Sequence, residues 1–196
     1  MVADKLRYQY KRWYRTFLGI QQSHAYWMYG VIDKILNENK QIKGIIEIGT
    51  GRGALSIFLG LECYERGLKP LLTYDILSPK KGTKLFKLLN IEFINRDYFH
   101  KDSIKEIMEY IDDIPILFVS DGGNRVKAFN YFVGLLKKDS VFASHDWESI
   151  MGNSITKLND ATSRDTINKY SLEPLHKDEW DGPPDYIKMC FWRKTK

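Results

Sequence analysis

Residues 45–54 read IIEIGTGRGA, and this stretch decides the fold class of the chain. Its first four residues form a short β-branched run that is typical of a buried strand. Glycines follow at positions 49, 51 and 53, and Ala54 opens an apolar segment with helical spacing. Glycines allow a tight turn and a close approach to a ligand, and a helix start offers unsatisfied N–H groups. The stretch therefore predicts a strand, a ligand-binding loop and a helix in succession.

The alternation of strand and helix continues toward the C-terminus. Strands are predicted at 71–74, 91–94, 115–119 and 140–143, and helices at 54–66, 81–89, 103–111 and 126–136. After a further helix, two last strands near 170–173 and 186–192 have no obvious helix between them, which indicates an antiparallel finish at one edge. The pattern predicts an α/β fold, a Rossmann-like, doubly wound, mostly parallel seven-stranded sheet with helices on both faces and an antiparallel edge strand.

Toward the N-terminus, residues 1–40 are predicted to form a helical extension or lid on a domain that spans 41–196. Helices are predicted at 5–18 and 24–39 from apolar residues at spacings of three and four. In the first of them, cations between Lys5 and Arg15 alternate with aromatic side chains. This pattern is typical of an amphipathic helix with snorkelling cations, and it also suits a nucleic-acid-binding face.

Composition limits the class of protein and its partners. The net charge of +5 mildly favours anionic partners but is far below that of a dedicated nucleic-acid binder. No apolar run approaches the roughly 20 residues of a membrane span, and no secretory segment opens the chain. The two cysteines, Cys63 and Cys190, match no metal-binding spacing and are expected to be free thiols. We therefore expect a cytoplasmic protein without a membrane partner, and assembly into a homo-oligomer is left open.

The strands of the predicted sheet end on polar residues. In open α/β sheets, ligands bind at the carboxyl ends of the strands, near the point where the strand order reverses. The residues to consider there are Glu47, Asp75, Asp97, Asp121, His145 and Asp146. A carboxylate at the second strand end suits two ribose hydroxyls, because each of its oxygens can accept hydrogen bonds.

Two cofactor classes fit the glycine loop. As G-x-G-x-x-A, the residues Gly49, Gly51 and Ala54 suit a dinucleotide, with Asp75 on a ribose. As E-x-G-x-G-x-G, the loop resembles motif I of the class I S-adenosylmethionine (SAM)-dependent methyltransferases. The acidic residue two places before the first glycine belongs to the methyltransferase pattern, and 196 residues leave little room for the substrate domain of an NAD enzyme.

This resemblance implies roles for the loop and for the strand ends. Glu47 would lie near the methionine amine of SAM, Asp75 on the ribose, and Asp97 by the adenine amino group with Tyr98 near the ring. Gln22 precedes a helix that would cover the cofactor. The implied cofactor-binding residues are Glu47, Gly49, Thr50, Gly51, Gly53, Asp75, Asp97, Tyr98 and Gln22.

The fourth and fifth strand ends bring Asp121 and Asp146 toward each other. Two carboxylates facing one pocket repel unless a proton or a cation lies between them, and Mg²⁺ with oxygen ligands would fit. The chain resembles the cation-dependent O-methyltransferases and, more closely, the cephalosporin hydroxylase-type family, over about residues 18–148. Carried over, Asp121, His145 and Asp146 occupy the metal-ligand positions.

The chain departs from these families at His145, where an acidic residue is usual, and at Asn124, where catechol-type enzymes keep a lysine. Histidine is a softer ligand than carboxylate, and it can instead act as a general base for an acceptor hydroxyl. His145 and Asp121 are therefore the candidates for catalysis.

The sequence predicts a SAM-dependent methyltransferase that acts on a hydroxyl of a small molecule or sugar, with Mg²⁺ as an assisting ion. An RNA methyltransferase using the N-terminal helix is the first alternative, although the fourth strand ends in SDGG (residues 120–123) and lacks the motif of amino-directed base methylation. An NAD-dependent oxidoreductase and a non-catalytic cofactor-binding module are the others.

Overall fold

The computed structural model describes residues 15–22, 26–79, 83–145, 161–177 and 189–196. The strands are β1 (Arg15–Phe17), β2 (Ile20–Gln22), β3 (Gly44–Ile48), β4 (Leu72–Asp75), β5 (Glu92–Asn95), β6 (Ile116–Ser120), β7 (Val141–His145), β8 (Leu172–Pro174) and β9 (Met189–Lys194). The helices are α1 (Tyr26–Glu38), α2 (Ala54–Arg66), α3 (Thr83–Leu88), α4 (Lys101–Tyr110), α5 (Arg125–Leu135) and α6 (Ala161–Lys169).

One seven-stranded sheet has the order β5-β4-β3-β6-β7-β9-β8. The pairs from β5 to β7 are parallel, and β9 runs antiparallel to both β7 and β8. The predicted fold class is therefore confirmed, with the antiparallel strand one position in from the edge. The interior place suits β9, which is almost wholly buried, whereas β8 exposes two of its three residues and ends on Pro174.

Helices cover both faces of the sheet, as predicted. On β3, the neighbouring residues Ile46 and Glu47 point to opposite faces because side chains alternate along a strand. Phe118 pairs with Ile46 and packs on Phe132 of α5, with ring centroids 4.9 Å apart. On the other face, Ser56 of α2 donates to Glu47. Burial on both faces explains why β3, β6 and β7 read as continuous buried runs.

The predicted helix at 5–18 is wrong at its C-terminal end. Residues 15–17 form β1, which pairs with β2 through a two-residue turn at Leu18 and Gly19. Both turn residues have positive φ, 47° and 78°, as a tight hairpin turn requires, and a helix cannot continue through them. Phe17 packs this hairpin on Tyr29 of α1 and Phe58 of α2. Residues 1–14 lie outside the described residues, and the division of the chain at residue 40 stays a prediction.

The other predicted helices are present with small shifts at their ends. Helix α2 spans 54–66 as predicted, and Gly67, with φ of 62°, ends it. Both cysteines are buried free thiols. In the part of the chain that the structure describes, no helix has the length and the apolar content that crossing a membrane demands.

Candidate active site

The glycine loop lies at the point where the strand order reverses, between β3 and β6. Gly49 has φ of 99°, and a Cβ added there would lie 2.5 Å from the backbone nitrogen of Gly122. The backbone of Asp121 is fixed to β3, because its N–H donates to the carbonyl of Ile48 at 2.8 Å. The loops after β3 and β6 are therefore in direct contact, and glycine is required where they meet.

A buried polar network supports the loop from below. Oε2 of Glu47 accepts hydrogen bonds from Ser56 at 2.5 Å and from Thr73 at 2.6 Å. The hydroxyls of Thr73 and Thr50 lie 2.7 Å apart. Glu47 is fully buried, so a carboxylate here requires such partners. The geometry thus gives Glu47 a role in holding the loop on β4, alongside the predicted role near the methionine amine.

Asp75 at the end of β4 faces the same loop. Its Oδ2 accepts from the N–H of Gly51 at 2.8 Å, and its Oδ1 accepts from the N–H of Leu77 at 2.9 Å. Each carboxylate oxygen can accept two hydrogen bonds, so both oxygens retain capacity for a ligand hydroxyl. Helix α2 begins after Gly53, which provides no side-chain cap for the first N–H groups of the helix.

The loop after β5 carries Asp97 and Tyr98. Asp97 is exposed, and its Oδ1 accepts from the N–H of Phe99 at 2.8 Å. The hydroxyl of Tyr98 donates to the carbonyl of Gly122 at 3.4 Å, and Gly123 has no Cβ where that hydroxyl passes. Burial raises the pKa of Tyr98, so the hydroxyl keeps its proton and remains a donor. Tyr98 thus joins the predicted adenine loop to the loop after β6.

On the other side of the switch point, the structure brings Asp121 and His145 together. Ser120 of β6 pairs with Ser144 of β7, so the residues that follow them are neighbours. Nδ1 of His145 lies 2.7 Å from Oδ1 of Asp121, and their side chains are only 7% and 13% exposed. A carboxylate on one ring nitrogen orients the imidazole and leaves Nε2 as the nitrogen for another partner.

Arg125 belongs to this cluster, and the sequence reasoning missed it. Its guanidinium lies 3.1 Å from the main-chain oxygen of Asp121 and 3.3 Å from Oδ1 of the same residue. Asn124 caps α5 by accepting from the N–H of Lys127, so Arg125 is the first residue of the helix. A spacing of four residues between an acid and an arginine at a helix start was the signal that could have found it.

The predicted metal set is described only in part. Asp146 lies outside the described residues, as does the segment that follows it. Among the residues that are described, no three acidic, histidine or cysteine side chains form a group that could hold a metal ion. Asp121 therefore supplies one carboxylate, with a guanidinium beside it, and the fit to Mg²⁺ depends on Asp146. Gln22 is the last residue of β2, and its predicted contact with the cofactor stays a prediction.

Comparison by sequence with known families and with curated proteins found no match. Solved structures do match. The apo structure of CmcI aligns with a TM-score of 0.67 and 12% identity over 93% of this chain and 76% of that chain, and its Mg–SAM form with 0.66 and 14% over 91% and 76%.

Two other methyltransferase structures align at lower scores. TomG, an O-methyltransferase from Streptomyces achromogenes solved with SAM, gives 0.56 and 14% over 88% of this chain and 82% of that chain. NodS, an N-methyltransferase from Bradyrhizobium japonicum, gives 0.54 and 12% over 86% and 95%. The chain therefore has the Rossmann-like fold of the SAM-dependent methyltransferases, which is the fold that the glycine loop predicts.

Proposed function

We propose that this chain is a SAM-dependent O-methyltransferase that acts on a hydroxyl of a small molecule or sugar. The observation that supports it is the contact between Gly49 and Gly122, which joins two polar sites across the switch point. One side holds a glycine loop and Asp75, which suit a cofactor. The other holds the Asp121–His145 pair, which suits a proton transfer.

The cofactor side suits SAM in its residue types and in its geometry. The backbone of Gly49, Thr50, Gly51 and Gly53 would approach the methionine part, and the uncapped start of α2 suits its carboxylate. Asp75 would accept the ribose hydroxyls. Asp97, Tyr98 and Gln22 are the remaining proposed contacts, at the adenine end and from the hairpin. SAM, when bound, supplies an electrophilic methyl group.

On the acceptor side, His145 is the proposed general base. Asp121 takes Nδ1, so Nε2 is the atom that would accept the proton of the acceptor hydroxyl. Removal of that proton makes the oxygen a stronger nucleophile toward the methyl group. Asp121 orients the ring and stabilises the imidazolium that forms. This division of labour requires the two side chains to remain in contact and mostly shielded from water, as they are here.

A divalent cation is a second use of the same cluster, supported by the Mg–SAM form of CmcI. Asp121, His145 and Asp146 would hold it, and its charge would favour the ionised acceptor. Against it, Oδ1 of Asp121 already has an imidazole nitrogen and a guanidinium as neighbours. The metal-free route is therefore the one proposed, and a chelator distinguishes the two.

The first experiment is calorimetric titration with S-adenosylhomocysteine, with NAD(H) as the control ligand, each with and without Mg²⁺. Micromolar binding of S-adenosylhomocysteine alone supports the proposal. Asp75→Ala is expected to raise its Kd by about 10- to 100-fold, since hydrogen bonds to a charged group contribute about 1.5–3 kcal/mol. Binding of NAD(H) in its place, or of neither ligand, overturns the proposed function.

Turnover is then measured with methyl-labelled SAM on panels of small hydroxylated acceptors, sugars and RNA. Label in an ether product supports the proposal, and label only in RNA replaces it with the alternative. Activity that survives excess chelator supports the metal-free route, whereas loss restored by Mg²⁺ would establish the cation. A cytoplasmic location and the oligomeric state stay predictions.

A further inference from the structure

Arg125 is the charged residue of the acceptor side that the proposed reaction does not use. It lies at the first position of α5, directly after the cap Asn124, and its side chain is only 12% exposed. A largely buried arginine in this position must have a partner that compensates its charge. That partner is Asp121, four residues earlier.

The guanidinium contacts two atoms of the same residue. Nη2 of Arg125 lies 3.1 Å from the main-chain oxygen of Asp121 and 3.3 Å from Oδ1. A contact to the main chain alone would fix only the backbone of the turn. A contact to both atoms fixes the side-chain torsion of Asp121 relative to its backbone, because the planar guanidinium is rigid.

The turn after Asp121 needs this restraint. Two glycines follow, and Gly123 has φ of 59°, so the backbone there has more conformational freedom than elsewhere. On the strand side, the N–H of Asp121 is fixed to Ile48 at 2.8 Å. Arg125 fixes the residue from the helix side. Oδ1, the oxygen that Arg125 approaches, is also the one that lies 2.7 Å from Nδ1 of His145.

We propose that Arg125 is a positioning residue: it holds Asp121 in the rotamer that receives Nδ1–H of His145, and so directs Nε2 of His145 toward the acceptor. The inference rests on the proposed function for its effect on rate. Its structural part, that Arg125 sets the state of the His145 ring, can be tested without any turnover.

The structural part is tested by nitrogen NMR of the imidazoles in the ligand-free protein, at a pH where they are neutral. The chain has 4 histidines, and His145→Gln identifies the signal of His145. In the unsubstituted chain, Nδ1 of His145 carries the proton. In Arg125→Met this preference is lost and the signals of both nitrogens move toward a mixture of tautomers. An unchanged tautomer in Arg125→Met overturns the proposal, whether or not the chain is a methyltransferase.

The rate is the second readout, once an acceptor is known. Arg125→Met is expected to lower kcat by about 10- to 100-fold, the range for loss of correct orientation, while KM for the acceptor stays close to its original value. Arg125→Lys keeps the charge and loses the fork, so an intermediate kcat is expected. Guanidinium added to Arg125→Ala is expected to restore part of kcat. Equal loss of stability and rate without rescue would contradict the proposal and leave Arg125 as a helix-start contact.

Arg66 offers a matched control. It is 19% exposed, and its guanidinium pairs with Asp33 and Glu62 between α1 and α2, away from the strand ends. Arg66→Met is expected to destabilise the fold and leave the His145 tautomer unchanged. If Arg66→Met also shifts the tautomer, the NMR signal reports general loosening, and the proposal fails.

Discussion

Around β3 and β4, the polar side chains of the site are held by hydroxyl and backbone hydrogen bonds, whereas around β6 and β7 they are held by charged contacts. Glu47 is bound by the hydroxyls of Ser56 and Thr73, and Asp75 by two backbone N–H groups. Across the switch point, Asp121 lies between an imidazole and a guanidinium. The two sides of one strand edge are thus built from different interactions.

The difference corresponds to what each side is proposed to do. A cofactor site needs a fixed shape, and short hydrogen bonds to the backbone provide it at low cost. A proton-transfer site needs groups whose charge can change, and such groups require charged neighbours when they are buried. The comparison predicts that substitutions on the β6–β7 side reduce rate without weakening cofactor binding, and that those on the β3–β4 side do the reverse.

His145→Gln gives the largest expected effect. Loss of the general base lowers kcat by about 10²- to 10⁴-fold, while the Kd for S-adenosylhomocysteine is unchanged. Single-turnover rates and calorimetry measure the two quantities. The matched control is His176→Gln, because Nε2 of His176 also lies 2.7 Å from a carboxylate, that of Glu38, in a different part of the fold. A large loss of rate in His176→Gln, or of cofactor affinity in His145→Gln, would remove the contrast between the two sides.

Gly49→Ala is expected to affect both sides, because Gly49 lies where they meet. The added Cβ would lie 2.5 Å from the nitrogen of Gly122 in a backbone with φ of 99°. We expect the free energy of unfolding to fall by about 1–3 kcal/mol and cofactor binding to be lost. Denaturant titration and calorimetry test this. In Gly30→Ala, where nothing lies within 4 Å of the added Cβ, stability should rise by up to about 1 kcal/mol. Unchanged binding in Gly49→Ala would show that the two loops can separate.

Thr73→Val gives the smallest expected effect and tests the β3–β4 side alone. The substitution keeps the shape of the side chain and removes the hydroxyl between Glu47 and Thr50. Stability should fall by about 1–3 kcal/mol, and the Kd for S-adenosylhomocysteine should rise with kcat unchanged at saturation. Tyr110→Phe removes another largely buried hydroxyl, one that donates to Pro70, remote from the strand ends. It should lower stability without changing the Kd, and an equal change in Kd would show a general effect of loosening.

The cofactor side was accessible to sequence reasoning because its residues are close along the chain. Residues 45–54 contain the strand, the glycines and the start of α2, and the structure has each of them in place. Asp75 was found because a strand ends on it. The hairpin of residues 15–22 was missed because the periodicity of neighbouring aromatic and charged residues favoured a helix, whereas the positive φ of Leu18 and Gly19 breaks it.

By itself, the sequence determined the strands, the helices between them, the loop after β3 and the acids at the strand ends, because each depends on residues within a few positions. Only the tertiary structure decided that Glu47 is bound by Thr73, that Tyr98 contacts Gly122, and that β9 lies inside β8. It also decided which partners Asp121 has. Contacts between side chains on different strands depend on register and rotamer, and these are fixed by packing of the whole sheet.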